Sequence, residues 1–138
     1  MKFFNAVRLL QMTALALALP LSAAPAQNWN KGTPVNITVT NDRFIPSSVT
    51  LRQGRTYILR ITNRSDRPHN FSSNRFFKYA RVAPRDSGWV VHNEVKLAPR
   101  QSATLHIVAP TTPNAVYEFR STRIQDAAEN MKGNIYVR

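Results

Sequence analysis

The sequence contains no cysteine. That absence excludes disulfides, Cys-ligated zinc, iron–sulfur clusters and any thiol nucleophile. It also excludes a blue-copper centre, which depends on a thiolate. Acidic residues are scarce: 7 Asp and Glu stand against 19 Lys and Arg in 138 residues, a net charge of +12. Such a balance bears on solubility, steering and anionic partners rather than on fold. There is no internal repeat, low-complexity tract or second domain. No nucleophile–base–acid set is visible along the chain, so an enzyme is not expected. Apolar residues still make up 43% of the chain, and its length suits one globular domain.

Long apolar runs are also missing, with one exception. Leu9 to Leu21 is almost continuously apolar and follows the basic residues Lys2 and Arg8. Pro20 and Ser22 end the run, and Ala24-Pro25-Ala26 places small residues where a signal peptidase reads them. Residues 1–26 therefore read as a cleaved secretory signal, with cleavage after Ala26. The run is short for a membrane span, and no stop-transfer segment follows; a retained anchor is the alternative. Cleavage leaves residues 27–138, with 17 basic residues against 7 acidic. The expected location is periplasmic or secreted. Export permits disulfides, yet this chain has none, so burial alone must stabilise it.

The remainder reads as all-β. Residues 35–40 alternate apolar and polar, as a half-buried strand does. Tyr57, Leu59 and Ile61 share one face of a β-rich run, and Ala103, Leu105 and Ile107 share another, with His106 pointing the opposite way. Val91, Asn93, Val95 and Leu97 fall at a spacing of two. Tyr117, Phe119 and Ser121 share a face, and Gly133 leads into a final strand, Ile135-Tyr136-Val137. About seven short strands with turn signals between them suggest a sandwich or barrel. A helical insertion is expected around residues 74–84, within the long connection from Ser72 to Val90.

Two stretches carry a resemblance. The first is Arg67-Pro68-His69-Asn70-Phe71, followed by Phe76-Phe77-Lys78-Tyr79-Ala80-Arg81-Val82-Ala83-Pro84. The second is Tyr117-Glu118-Phe119-Arg120-Ser121, followed by Met131-Lys132-Gly133-Asn134-Ile135. They resemble the histidine segment and the last loop of the cupredoxins, small exported copper proteins with a Greek-key β-sandwich. The likeness spans about residues 35–138. It implies that the first histidine ligand is His69, that the cysteine position falls on Ser121, the second histidine on Asp126, and the axial methionine on Met131. The glycine expected before that methionine is Asn130.

The resemblance thus implies a degenerate, non-blue copper site of His69, Met131 and Asp126. A neutral hydroxyl at Ser121 is a poor substitute for a soft thiolate, and a carboxylate suits Cu(II) better than Cu(I). Each residue also has a plainer reading. His69 can be a turn histidine bonded to the last loop, and Met131 a core side chain that fills a gap. Asp126 can be a solvated loop carboxylate, or a partner of Arg123. His92 and His106 read as surface or rim residues.

Thirteen of the 17 basic residues in 27–138 are arginines. Arginine favours planar pairing with carboxylate or phosphate. Nucleic acid is not expected as a partner, since no aromatic-interleaved reading motif is present. Two functions remain open: weak copper handling, or metal-free binding of an acidic protein or anionic membrane surface through the Arg-rich face.

Overall fold

The computed structural model describes residues 18–20 and 25–138. The signal expected over residues 1–26 lies largely outside them. Among the described residues, no helix is long and apolar enough to cross a membrane. Among the described residues, the helices, strands and hydrophobic core fall within residues 27–138.

The chain forms a sandwich of two five-stranded sheets. The first has the order β2 (Phe44–Ile45), β1 (Thr33–Val39), β4 (Thr56–Asn63), β8 (Ser102–Val108), β6 (Arg81–Val82). The second has the order β3 (Ser48–Leu51), β10 (Lys132–Val137), β9 (Val116–Arg120), β5 (His69–Ser72), β7 (Glu94–Leu97). β1 runs parallel to β4, and β3 parallel to β10; the other pairings are antiparallel. Alternation decides which side chains enter the space between the sheets. Tyr57, Leu59 and Ile61 of β4 are buried, as are Ala103, Leu105 and Ile107 of β8, while His106 faces outward. From the other sheet come Phe71, Tyr117, Phe119, Ile135 and Val137. Phe71 stacks on Phe119 at 4.6 Å, and Phe44 meets both edge-on.

The short helical insertion expected around residues 74–84 is present. Helix α1 covers only Asn74–Tyr79, burying Phe76 and Phe77 against the core. β6 follows, then a 3-10 turn over Pro84–Trp89. The spacing-two strand expected from Val91 is also shortened. His92 and Asn93 take left-handed backbone angles, φ 53° and 60°, and turn the chain, so β7 starts at Glu94. A second short helix, α2 (Ile124–Ala128), lies in the last loop, where none was expected.

The sandwich has two poles. At one end lie the turn from β1 to β2, the turn from β4 to β5, and the loop carrying α2. At the other lie the turn from β3 to β4, the start of β1, the end of β8 and the C-terminus.

Candidate metal centre

The β4–β5 turn sets the position of His69. Asn63 is buried, and its Nδ2 donates to the carbonyls of Arg67 at 2.8 Å and Ala98 at 3.0 Å. Its Oδ1 accepts the Ser65 backbone N–H at 2.9 Å. This clamp leads through Pro68 into β5, whose first residue is His69, opposite Leu97. His69 is 1% exposed.

The last loop supplies the facing groups. Its backbone closes on itself: Ser121 N–H donates to the Met131 carbonyl at 3.1 Å, and Met131 N–H to the Asp126 carbonyl at 3.0 Å. Asn130 makes this closure with φ 54°, a left-handed angle that glycine and asparagine tolerate best. The loop therefore folds inward, and α2 turns the Asp126 side chain into the protein.

The result is a buried polar network. Asp126 Oδ2 lies 2.6 Å from His69 Nδ1 and 2.5 Å from Ser121 Oγ. The ring donates its Nδ1–H and the hydroxyl its proton, both to one carboxylate oxygen. Ser121 Oγ in turn accepts the Asn70 backbone N–H at 3.4 Å. The Asn70 side chain anchors the next residue, accepting Thr122 N–H at 2.7 Å and donating to Thr122 Oγ1 at 2.7 Å. The far nitrogen of the ring, His69 Nε2, is buried without a hydrogen-bond partner.

His69 and Asp126 are thus brought together. Met131 joins them only through backbone bonds, and its buried side chain belongs to the hydrophobic core. Two plainer expectations need correction. Asp126 is 2% exposed, so it is not a solvated carboxylate. It does not pair with Arg123, which is exposed. The arginine that secures this end is Arg67, whose guanidinium reaches the Asn41 carbonyl, Gln125 Oε1 at 3.2 Å and Glu129 at 3.9 Å. His69 does bond the last loop, but from full burial rather than from an exposed turn. His92 is exposed, whereas His106 is half-buried with Nδ1 2.8 Å from Asp86 Oδ2. Asn70 and Ser121 were visible as motif residues. Their joint role as clamps depends on β5 and β9 lying side by side, which no local sequence pattern displays.

A family model for the cupredoxin-like domain matches residues 11–137. The chain belongs to this family. Auracyanin from Roseiflexus castenholzii superposes with a TM-score of 0.57 at 19% identity, over 78% of this cupredoxin and 98% of that chain. Auracyanin A from Chloroflexus aurantiacus, a "blue" copper protein, gives 0.51 at 14% identity over 76% and 99%. A multicopper oxidase from Campylobacter jejuni gives 0.59 at 9% identity, over 82% of this chain but 31% of its own. No curated protein matches. At these identities the likeness establishes the fold.

The donors of this cupredoxin do not suit a copper ion as they stand. Where His69 and Ser121 converge, the space is taken by Asp126 Oδ2. A first-row ion bonded to both Nδ1 and Oδ2, at about 2 Å each, would need the place that the bridging proton holds. There is no thiolate and no second imidazole at this end. Among the described residues, no group of three or more His, Cys, Asp or Glu side chains converges to hold a metal ion.

Proposed function

We propose that this cupredoxin works without copper, as an exported binding domain in which Asp126 occupies the position of the ion. The observation that carries the reading is the convergence of His69 Nδ1 and Ser121 Oγ on one carboxylate oxygen. Hydrogen bonds then do what coordination does in the copper relatives: they tie β5 to the last loop. The network is sealed from solvent, so this end offers structure rather than reactivity. A hydrolytic serine needs its hydroxyl bonded to an imidazole nitrogen. Here the hydroxyl and the imidazole both bond the carboxylate, and Nε2 faces buried surroundings. Binding falls to the arginine-rich surface, which suits an acidic or anionic partner.

The test is thermal unfolding of the protein lacking residues 1–26, with and without Cu(II) or Cu(I). A ligand that binds only the folded state adds about 2.7 kcal/mol at a hundredfold excess over Kd. The expected result is no specific shift. A saturable copper shift that disappears in His69→Gln would overturn the reading in favour of copper handling.

A further inference from the structure

The seven acidic residues are distributed unevenly. Asp42, Asp66, Asp126 and Glu129 sit in turns and loops at the His69 end. Glu94 and Glu118 lie on the outer face of the second sheet, and Asp86 is buried against His106. Asp86, beside Arg85 in the Pro84–Trp89 turn, is the acid nearest the opposite pole.

That pole is basic throughout. The β3–β4 turn carries Arg52 and Arg55, closed by Arg55 N–H to the Arg52 carbonyl at 3.3 Å. The C-terminal Arg138 is locked beside it, since Gln53 N–H donates to its carbonyl at 3.1 Å. Next to the turn, Thr56 Oγ1 accepts Gln27 Nε2 at 2.8 Å, and Gln27 Oε1 accepts Arg81 Nη2 at 3.0 Å. The Arg81 guanidinium lies 5.8 Å from the centre of the half-buried Trp29 ring. Arg85 donates to Asn30 at 2.6 Å and extends the surface. All five arginines are exposed, and none forms an ion pair among the described residues.

We infer that this arginine-rich pole docks on an anionic phospholipid surface. The inference rests on the metal-free binding reading above and gives it a location and a partner. Arginine forks match phosphate oxygens in pairs. An indole at the rim of a basic patch suits the headgroup layer, with an apolar body and a polar N–H. The arginines sit on turns and a chain end around the pole rather than along one groove, which suits a plane of headgroups better than a single acidic peptide.

The experiment is sedimentation of the protein lacking residues 1–26 with vesicles of phosphatidylglycerol and phosphatidylcholine, in chelator. Binding is expected, to weaken steeply with salt, and to be absent on phosphatidylcholine alone. Arg52→Gln, Arg55→Gln and Arg81→Gln together should lower partitioning by about 100-fold, since each arginine near an anionic surface is worth about fivefold. Arg64→Gln, Arg100→Gln and Arg123→Gln together remove equal charge at other positions and should leave most binding intact. With Trp89→Phe as background, Trp29 fluorescence should shift to the blue on vesicles. Equal losses in the two triple variants would overturn the pole as the docking surface. Absence of vesicle binding alongside tight binding to polyglutamate would replace the membrane with an acidic protein. Vesicle binding that required added copper would overturn the metal-free reading instead.

Discussion

Asp126 Oδ2 accepts two hydrogen bonds inside the protein, one from an imidazole and one from a hydroxyl. Removing the carboxylate would strand the buried His69 Nδ1–H, while the Ser121 hydroxyl could turn to Asn70 Oδ1 at 3.0 Å. Asp126→Ala should therefore cost about 1–3 kcal/mol by urea denaturation. Asp126→Asn keeps one acceptor oxygen and should cost less. Replacing the pair, with His69→Leu and Asp126→Leu, should recover much of the loss, because Ser121 keeps its bonds to Asn70 and no polar group is then stranded. A second carboxylate gives a pH prediction. The Arg43 guanidinium, and then Thr40 Oγ1, hold exposed Asp42 down from the ordinary 3.8 to about 2. Its contribution to stability is then complete above the unfolded value near 3.8 and is lost as pH falls toward 2. An NMR titration should give a midpoint near 2, and Arg43→Ala should return it toward 3.8. The resemblance made His69, Asp126 and Met131 legible as candidates. The hydrogen bonds between them were not, because they depend on how the loop backbone closes across ten residues.

The elements with a clear period were legible, and the others were not. β4, β8 and β9 each alternate around a core face, which the sequence displays directly. β2 and β6 are two residues each, too short for any period, and exist because a longer neighbour offers its edge. α2 presents Ile124 at 89% exposure, the reverse of an amphipathic signal, so nothing in its pattern marks a helix. Two backbone positions govern the last loop. Asn130 at φ 54° should accept glycine without loss, whereas Asn130→Ala should cost about 1 kcal/mol in chemical denaturation. Gly133 begins the approach of β10 to β3. A Cβ there would stand 2.3 Å from both the Phe119 ring and the Ser47 carbonyl oxygen. Gly133→Ala should lower stability by roughly 1–3 kcal/mol or more, as overpacking does, and should disturb the Asn134 N–H bond to Ser47 in hydrogen exchange.

The whole molecule separates two tasks by pole. One end ties its loops together through a sealed network of His69, Ser121 and Asp126. The other presents exposed arginines, and the acid nearest to them, Asp86, is buried against His106. The net charge was plain from composition, but its polarity was not, because Arg52, Arg81 and Arg138 meet only through sheet register and turns. If Asp126 holds the position of the ion, supplying the family's missing donors should restore a metal site. Ser121→Cys with Asp126→His gives a thiolate and a second imidazole beside His69 and Met131. That variant should take up copper and colour strongly, as two imidazoles and a thiolate do. The most direct measurement is on the unaltered protein: the ring resonances of His69, followed by NMR as Cu(II) is added to equimolar amounts. They should keep their positions and widths, with Nδ1 still bonded to Asp126. Broadening of the His69 signals at stoichiometric copper, with loss of that hydrogen bond, would contradict the account.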